Sequence, residues 1–72
     1  MAEEALYKVV DSDSGNTVAL YRSREEAEDS FLRLLKRDPK AAESLVMIAM
    51  DKEGHPLRSF EAAGFTPGAL SA

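Results

Sequence analysis

Leu45-Val46-Met47-Ile48-Ala49-Met50 is the longest apolar run in the chain, six residues with no polar interruption. At that length, and with Val and Ile in it, the run reads as a β-strand rather than a helix. It is also far short of the roughly 20 residues needed to cross a bilayer. Successive strand side chains point to opposite faces, so a run apolar at every position needs cover on both sides. One cover is a helix, and the other is expected to be a second copy of the chain or the chain's own tail through Phe60, Phe65 and Leu70. Downstream, Asp51-Lys52-Glu53-Gly54 has turn composition and leads into a further strand from Pro56 to Phe60. Pro56 cannot donate to a ladder, which marks that strand as an edge.

Upstream of the run lies a helix. Ser23-Arg24-Glu25-Glu26 has capping-box spacing, in which the Ser23 hydroxyl accepts from the Glu26 amide and the Glu26 carboxylate reaches back. Ala27, Phe31, Leu34 and Leu35 follow at helical period with Leu32 alongside, and the pattern runs to Arg37. Acidic residues crowd its first turns (Glu25, Glu26, Glu28, Asp29) and basic ones its last (Arg33, Lys36, Arg37), each sign complementing the helix dipole. Asp38 as N-cap with Pro39 at the first position predicts a short second helix through Glu43 or Ser44.

The first 21 residues predict a β-hairpin, with strands Ala5 to Asp11 and Thr17 to Tyr21 around the turn cluster Ser12-Asp13-Ser14-Gly15-Asn16. Gly15 or Asn16 is expected to take positive φ. Pairing Ser12 with Thr17 places Tyr7, Val9, Val18 and Leu20 on one face. Leu6, Lys8, Val10, Thr17, Ala19 and Tyr21 then share the other. The order β-β-α-β-β predicts an α+β two-layer sandwich, an antiparallel four-stranded sheet with one long helix on one face. Residues 1–72 are read as a single domain, with residues 61–72 as a tail that Thr66-Pro67 opens into a short helical turn around Leu70.

Composition narrows the function classes. With 72 residues and 7.9 kDa the chain has material for one core only. No cysteine is present, so disulfides, thiolate nucleophiles and cysteine-rich zinc sites are excluded, and a reducing cytoplasm is the expected compartment. A net charge of -4 and a pI near 4.8 argue against binding a phosphate backbone. Arg33, Lys36, Arg37 and Lys40 form the only basic cluster, without interleaved aromatics, so no nucleic-acid partner is expected. The opening Met-Ala-Glu-Glu lacks the basic and apolar regions of a secretory signal, and no membrane partner is expected.

Tyr7-x-Val9-x-Asp11, Ser14-Gly15-Asn16-x-Val18, Tyr21-x-Ser23 and Glu26-Ala27 together resemble a scattered group of short bacterial β-β-α-β-β proteins, mostly without assigned function. In these a hairpin with a Ser-Gly-Asn turn feeds a helix and two more strands. The resemblance covers about the first 27 residues and implies a fold rather than an activity. Ser23 to Ala27 is also similar to the helix opening of HicB-type antitoxin N-terminal domains, which implies an antitoxin-like regulator as a third functional reading. The chain departs from that family in lacking the Pro-Gly-Cys-like segment before the helix and an appended DNA-binding domain.

Reactive constellations are sparse. Asp11-Ser12-Asp13-Ser14-Gly15-Asn16-Thr17-Val18 imitates the start of a calcium loop. However, Gly15 stands at the fifth place, Asn16 at the sixth and Arg22 at the twelfth, where a bidentate glutamate belongs. The segment reads as a turn. His55, the only histidine, lies between Gly54 and Pro56 and reads as an exposed turn residue, and the Glu25, Glu26, Glu28, Asp29 group as solvated surface. Gly15, Gly54, Gly64 and Gly68 show no phosphate-loop spacing. The expectation is a non-catalytic chain with no cofactor and no metal.

What remains is the second sheet face. The chain is expected to be a protein-interaction or assembly module, a homodimer or the partner of another protein. Its expected interface is Leu6, Val10, Ala19, Tyr21, Met47 and Met50. The rival expectation is a small-molecule binder or minimal enzyme, with a site between sheet and tail around His55, Tyr7 or Tyr21.

Overall fold

In the computed structural model, which describes residues 3–71, β1 (Leu6–Asp11) and β2 (Thr17–Tyr21) form the hairpin. Met1 and Ala2, from the N-terminal run read for a targeting signal, and Ala72, the last residue of the tail, lie outside the described residues. The turn closes through the Asp11 amide donating to the Asn16 carbonyl at 2.9 Å and the Gly15 amide donating to the Asp11 carbonyl at 2.7 Å. Gly15 has φ 75°, as the turn composition predicts.

The hairpin register differs from the expected one. Val10 pairs with Thr17 but Val9 pairs with Ala19, so Val18 is an extra residue and β2 carries a bulge there. One inserted residue reverses the faces beyond it. Tyr7 therefore pairs with Tyr21, and Tyr7, Val9, Ala19 and Tyr21 share a face, while Leu20 joins Lys8 on the other. The sequence of β2, Thr-Val-Ala-Leu-Tyr, is apolar at consecutive positions and so supports either assignment; a bulge leaves no mark in such a pattern.

α1 (Arg24–Arg37) starts at Ser23, which has φ -128° and ψ 136° and accepts from the Glu26 amide at 3.4 Å. Its apolar stripe buries Ala27 and Phe31, with Leu32 and Leu35 packed beside them. Asp38 leaves the helical region ahead of Pro39 and its carboxylate accepts from the Ala41 amide at 3.2 Å. That caps α2 (Pro39–Ala42), which ends short of the expected Glu43 or Ser44. Ser44 instead anchors the hairpin, its carbonyl accepting from the Ser12 amide and hydroxyl, both at 2.8 Å.

β3 (Leu45–Met50) and β4 (Pro56–Glu61) complete a sheet of order β2-β1-β3-β4, every neighbouring pair antiparallel. β2 and β3 thus run parallel on either side of β1, with α1 and α2 as the crossover between them. β3, apolar at every position, is a central strand, and β4, with Pro56, is an edge as its sequence requires. The fold is the expected α+β sandwich with one long helix on the sheet.

After β4 the chain crosses to the helix side. Phe65 sits edge-on to Phe31 with ring centroids 4.7 Å apart, and edge-on to Phe60 at 6.0 Å. Leu70, in the final short 3-10 turn (Ala69–Ser71), joins the same core as Tyr7, Val9, Met47 and Ala49. The tail therefore covers the face that α1 already covers, which removes it as the cover of the second face.

Candidate interaction surface

The second face is built by strand alternation and is set out by the pairings. β1 contributes Leu6, Lys8 and Val10, opposite Met50, Ile48 and Val46 of β3. β2 adds Leu20 opposite Lys8, and β4 adds Ser59 and Glu61 opposite Ile48 and Val46. A second bulge falls in β4, where Ala49 pairs with Arg58 and Met50 with Pro56, leaving Leu57 as the extra residue. Val18 and Leu20 are each 49% exposed and Leu57 37%, the largest apolar side chains so exposed among the described residues. Six apolar side chains of this face surround one cation, Lys8.

Three of the six expected interface residues, Leu6, Val10 and Met50, lie on this face, although Met50 is itself buried. The other three do not. Met47 is fully buried opposite Val9 and Phe60, and Ala19 and Tyr21 pack against the helix-side core. The β2 bulge accounts for Ala19 and Tyr21; Met47 follows from its alternation with Val46 and Ile48 within β3. Leu20 and Leu57 reach this face through the two bulges, which strand alternation in the sequence does not show. Lys8 lies with Leu6 and Val10, as alternation along β1 predicts.

The other candidates resolve into local structure. Asp11 accepts from the Asp13 amide at 2.9 Å, and that bond, first among several, holds its carboxyl below the ordinary 3.8. Arg33, Lys36, Arg37 and Lys40 all stand exposed at the end of α1 and on α2. Tyr7 and Tyr21 are a cross-strand pair on the helix side; Tyr7 is buried and its hydroxyl donates to Glu4 at 3.4 Å. His55 is not with them.

Asp51, Glu53 and His55 do converge, with one ligating atom from each lying within 4.8 Å of the others. Asp51 is nearly buried and its Oδ1 accepts from the amides of Glu53 at 3.0 Å and His55 at 2.8 Å, while Oδ2 lies 3.1 Å from His55 Nδ1. The His55 amide is the main cause of a carboxyl held below 3.8. This is the carboxylate of an Asx-type turn, turned inward to its own loop. The His55 side chain is 75% exposed, as the sequence reading expects.

Arg58 ties three segments together. Its Nε and Nη2 both donate to the Glu4 carboxylate, the latter at 3.0 Å; Nη2 also donates to the Leu70 carbonyl at 2.9 Å, and the guanidinium lies 4.8 Å from the Phe60 ring centre. These bonds hold the Glu4 carboxyl below its ordinary 4.5. The group clamps the N-terminal segment and the tail to β4 and is structural.

No family model matches the chain, and neither a curated protein nor a solved structure matches it. Among the described residues no helix is long and apolar enough to cross a membrane.

Proposed function

We propose that the chain is a non-catalytic assembly module that pairs with a second copy of itself through the open sheet face. The observation that carries this reading is that helix and tail share one face, while the other presents apolar side chains from all four strands, of which Met50 is buried, Leu6, Val10, Val46 and Ile48 are half-buried and Leu20 and Leu57 are exposed. A monomer's solvent face in an antiparallel sheet alternates to polar residues; here only Lys8, Ser59 and Glu61 do so on the paired positions of β1, β3 and β4.

The size of the face supports a second copy as occupant. Four strands about 4.8 Å apart and about six residues long span on the order of 400 Å² in projection. Two such rough faces together come to about 1,000 Å² of accessible surface, the lower bound for a specific interface. At that lower bound of size the pairing is expected to be weak and concentration-dependent. The lack of cysteine supports a reducing cytoplasm, the hairpin resemblance a bacterial source, and the net charge of -4 a partner that is not nucleic acid.

Sedimentation equilibrium from 5 to 500 micromolar, about a hundredfold range, tests the reading. A monomer–dimer equilibrium is expected, abolished by Leu20→Lys, whose half-exposed site tolerates lysine without loss of fold. A chain that stays monomeric throughout, or a Leu20→Lys variant that dimerises as before, overturns it.

A further inference from the structure

The open face is electrically polarised along the strands. At the end marked by Leu6 and Met50, a shallow hollow is lined by Ala5, Leu6, Leu20, Arg22 and Lys52, an apolar floor with two cationic walls. Glu53 is in the adjoining turn but does not line the hollow, and Asp51 is held inward by the turn amides. At the opposite end Glu61 stands beside Val46, which pairs with Val10, and the β1–β2 turn brings Asp11 and Asp13 to the same end. Among the described residues Arg22, Lys52 and Glu61 have no ion-pair partner.

Resting on the pairing proposed above, we infer that the two copies meet isologously with strands running in opposite directions, Lys52 in the β3–β4 turn of each over Glu61 of the other copy and Arg22 at the β2 edge over the other copy's β1–β2 turn with Asp13. A two-fold axis lying between the sheets and across the strands produces this arrangement and makes both charge contacts at once. The alternative axis, along the strands, sets basic end on basic end and acidic end on acidic end, and like-charge juxtaposition disfavours it. The polarity therefore selects the orientation, while the apolar middle supplies the attraction. Rim charges of this kind act through orientation and salt dependence more than through raw affinity.

Charge reversal gives a test with opposite outcomes for the two orientations. Glu61→Lys is expected to weaken the dimer roughly tenfold, and Lys52→Glu to do the same, since each breaks two symmetric contacts, whereas with the axis along the strands, which sets Lys52 over Arg22 and Glu61 over the turn with Asp13, each reversal strengthens it. Mixed together, these two variants are expected to form heterodimers of wild-type strength, because both contacts between positions 52 and 61 then join opposite charges. Both sites are exposed, and an unchanged melting temperature confirms that each variant folds. Wild-type dimers indifferent to both reversals, or mixtures that fail to form heterodimers, overturn the antiparallel arrangement and leave the pairing intact. A wild-type chain that is monomeric throughout overturns the pairing itself.

Discussion

Lys8 sits at the centre of the open face, opposite Leu20 on one side and Ile48 on the other, and among the described residues it has no ion-pair partner. Its stem lies over apolar neighbours and its ammonium must remain hydrated, so burying it costs free energy that the surrounding side chains offset only in part. Lys8→Ile is accordingly expected to tighten self-association about tenfold or more in sedimentation equilibrium. A dimer left unchanged would place Lys8 outside the contact. Gly15 is the other residue whose identity matters alone: with φ 75° and nothing within 4 Å of a built Cβ, a side chain there meets no obstacle except its own backbone. Gly15→Val should therefore cost about 1–2 kcal/mol by chemical denaturation, all of it conformational strain. A loss under about 0.5 kcal/mol would mean the turn relaxes to another form.

At the scale of elements, the tail is an integral part of the core. Phe65 lies between Phe31 of α1 and Phe60 of β4, and nearly all of its surface is buried. Phe65→Ala is expected to cost about 3–4 kcal/mol, the usual range for removing a core aromatic and leaving its cavity. Urea unfolding measures this directly, and a cost near 1 kcal/mol would show that the tail is only loosely docked. The β2 bulge acts on the opposite face: by advancing the register one residue it turns Tyr21 onto the core and Leu20 outward, so one inserted residue decides what the surface presents.

For the whole molecule, three carboxyls are held below their ordinary values, Glu4 chiefly by Arg58, Asp11 by the Asp13 amide and Asp51 by the His55 amide. A carboxyl whose folded pKa is depressed contributes stability that is fully present above its unfolded pKa. That contribution is lost as pH falls through the folded value. The melting temperature should thus be flat above about pH 5 and fall progressively below the ordinary values of 4.5 and 3.8. Arg58→Met removes the main cause acting on Glu4, so it should lower stability at neutral pH and make the acid fall shallower. An unaltered pH profile in that variant would show that the Glu4–Arg58 pair contributes nothing to folding.

Most of the fold was legible locally, because its signals act over a few residues: the Ser23 cap, the Asp38-Pro39 break, the Gly15 turn, the apolar run Leu45–Met50 and the edge marked by Pro56. The need of β3 for cover on both faces was equally plain, and with it the expectation of an interface. Which residues form that interface was not. Two bulges, at Val18 and Leu57, set which side chains of β2 and β4 reach each face, and the docking of Phe65 and Leu70 beside α1 rather than behind the sheet leaves the second face open. A bulge in a strand apolar at consecutive positions changes no periodicity, and the side on which a tail docks depends on aromatic partners more than 30 residues away in the case of Phe31 and Phe65. By itself the sequence determined the elements, because caps, turns and apolar runs are local chemistry. Only the tertiary structure decided the faces, because they follow from register and docking, where long-range packing selects between patterns that local chemistry leaves equal.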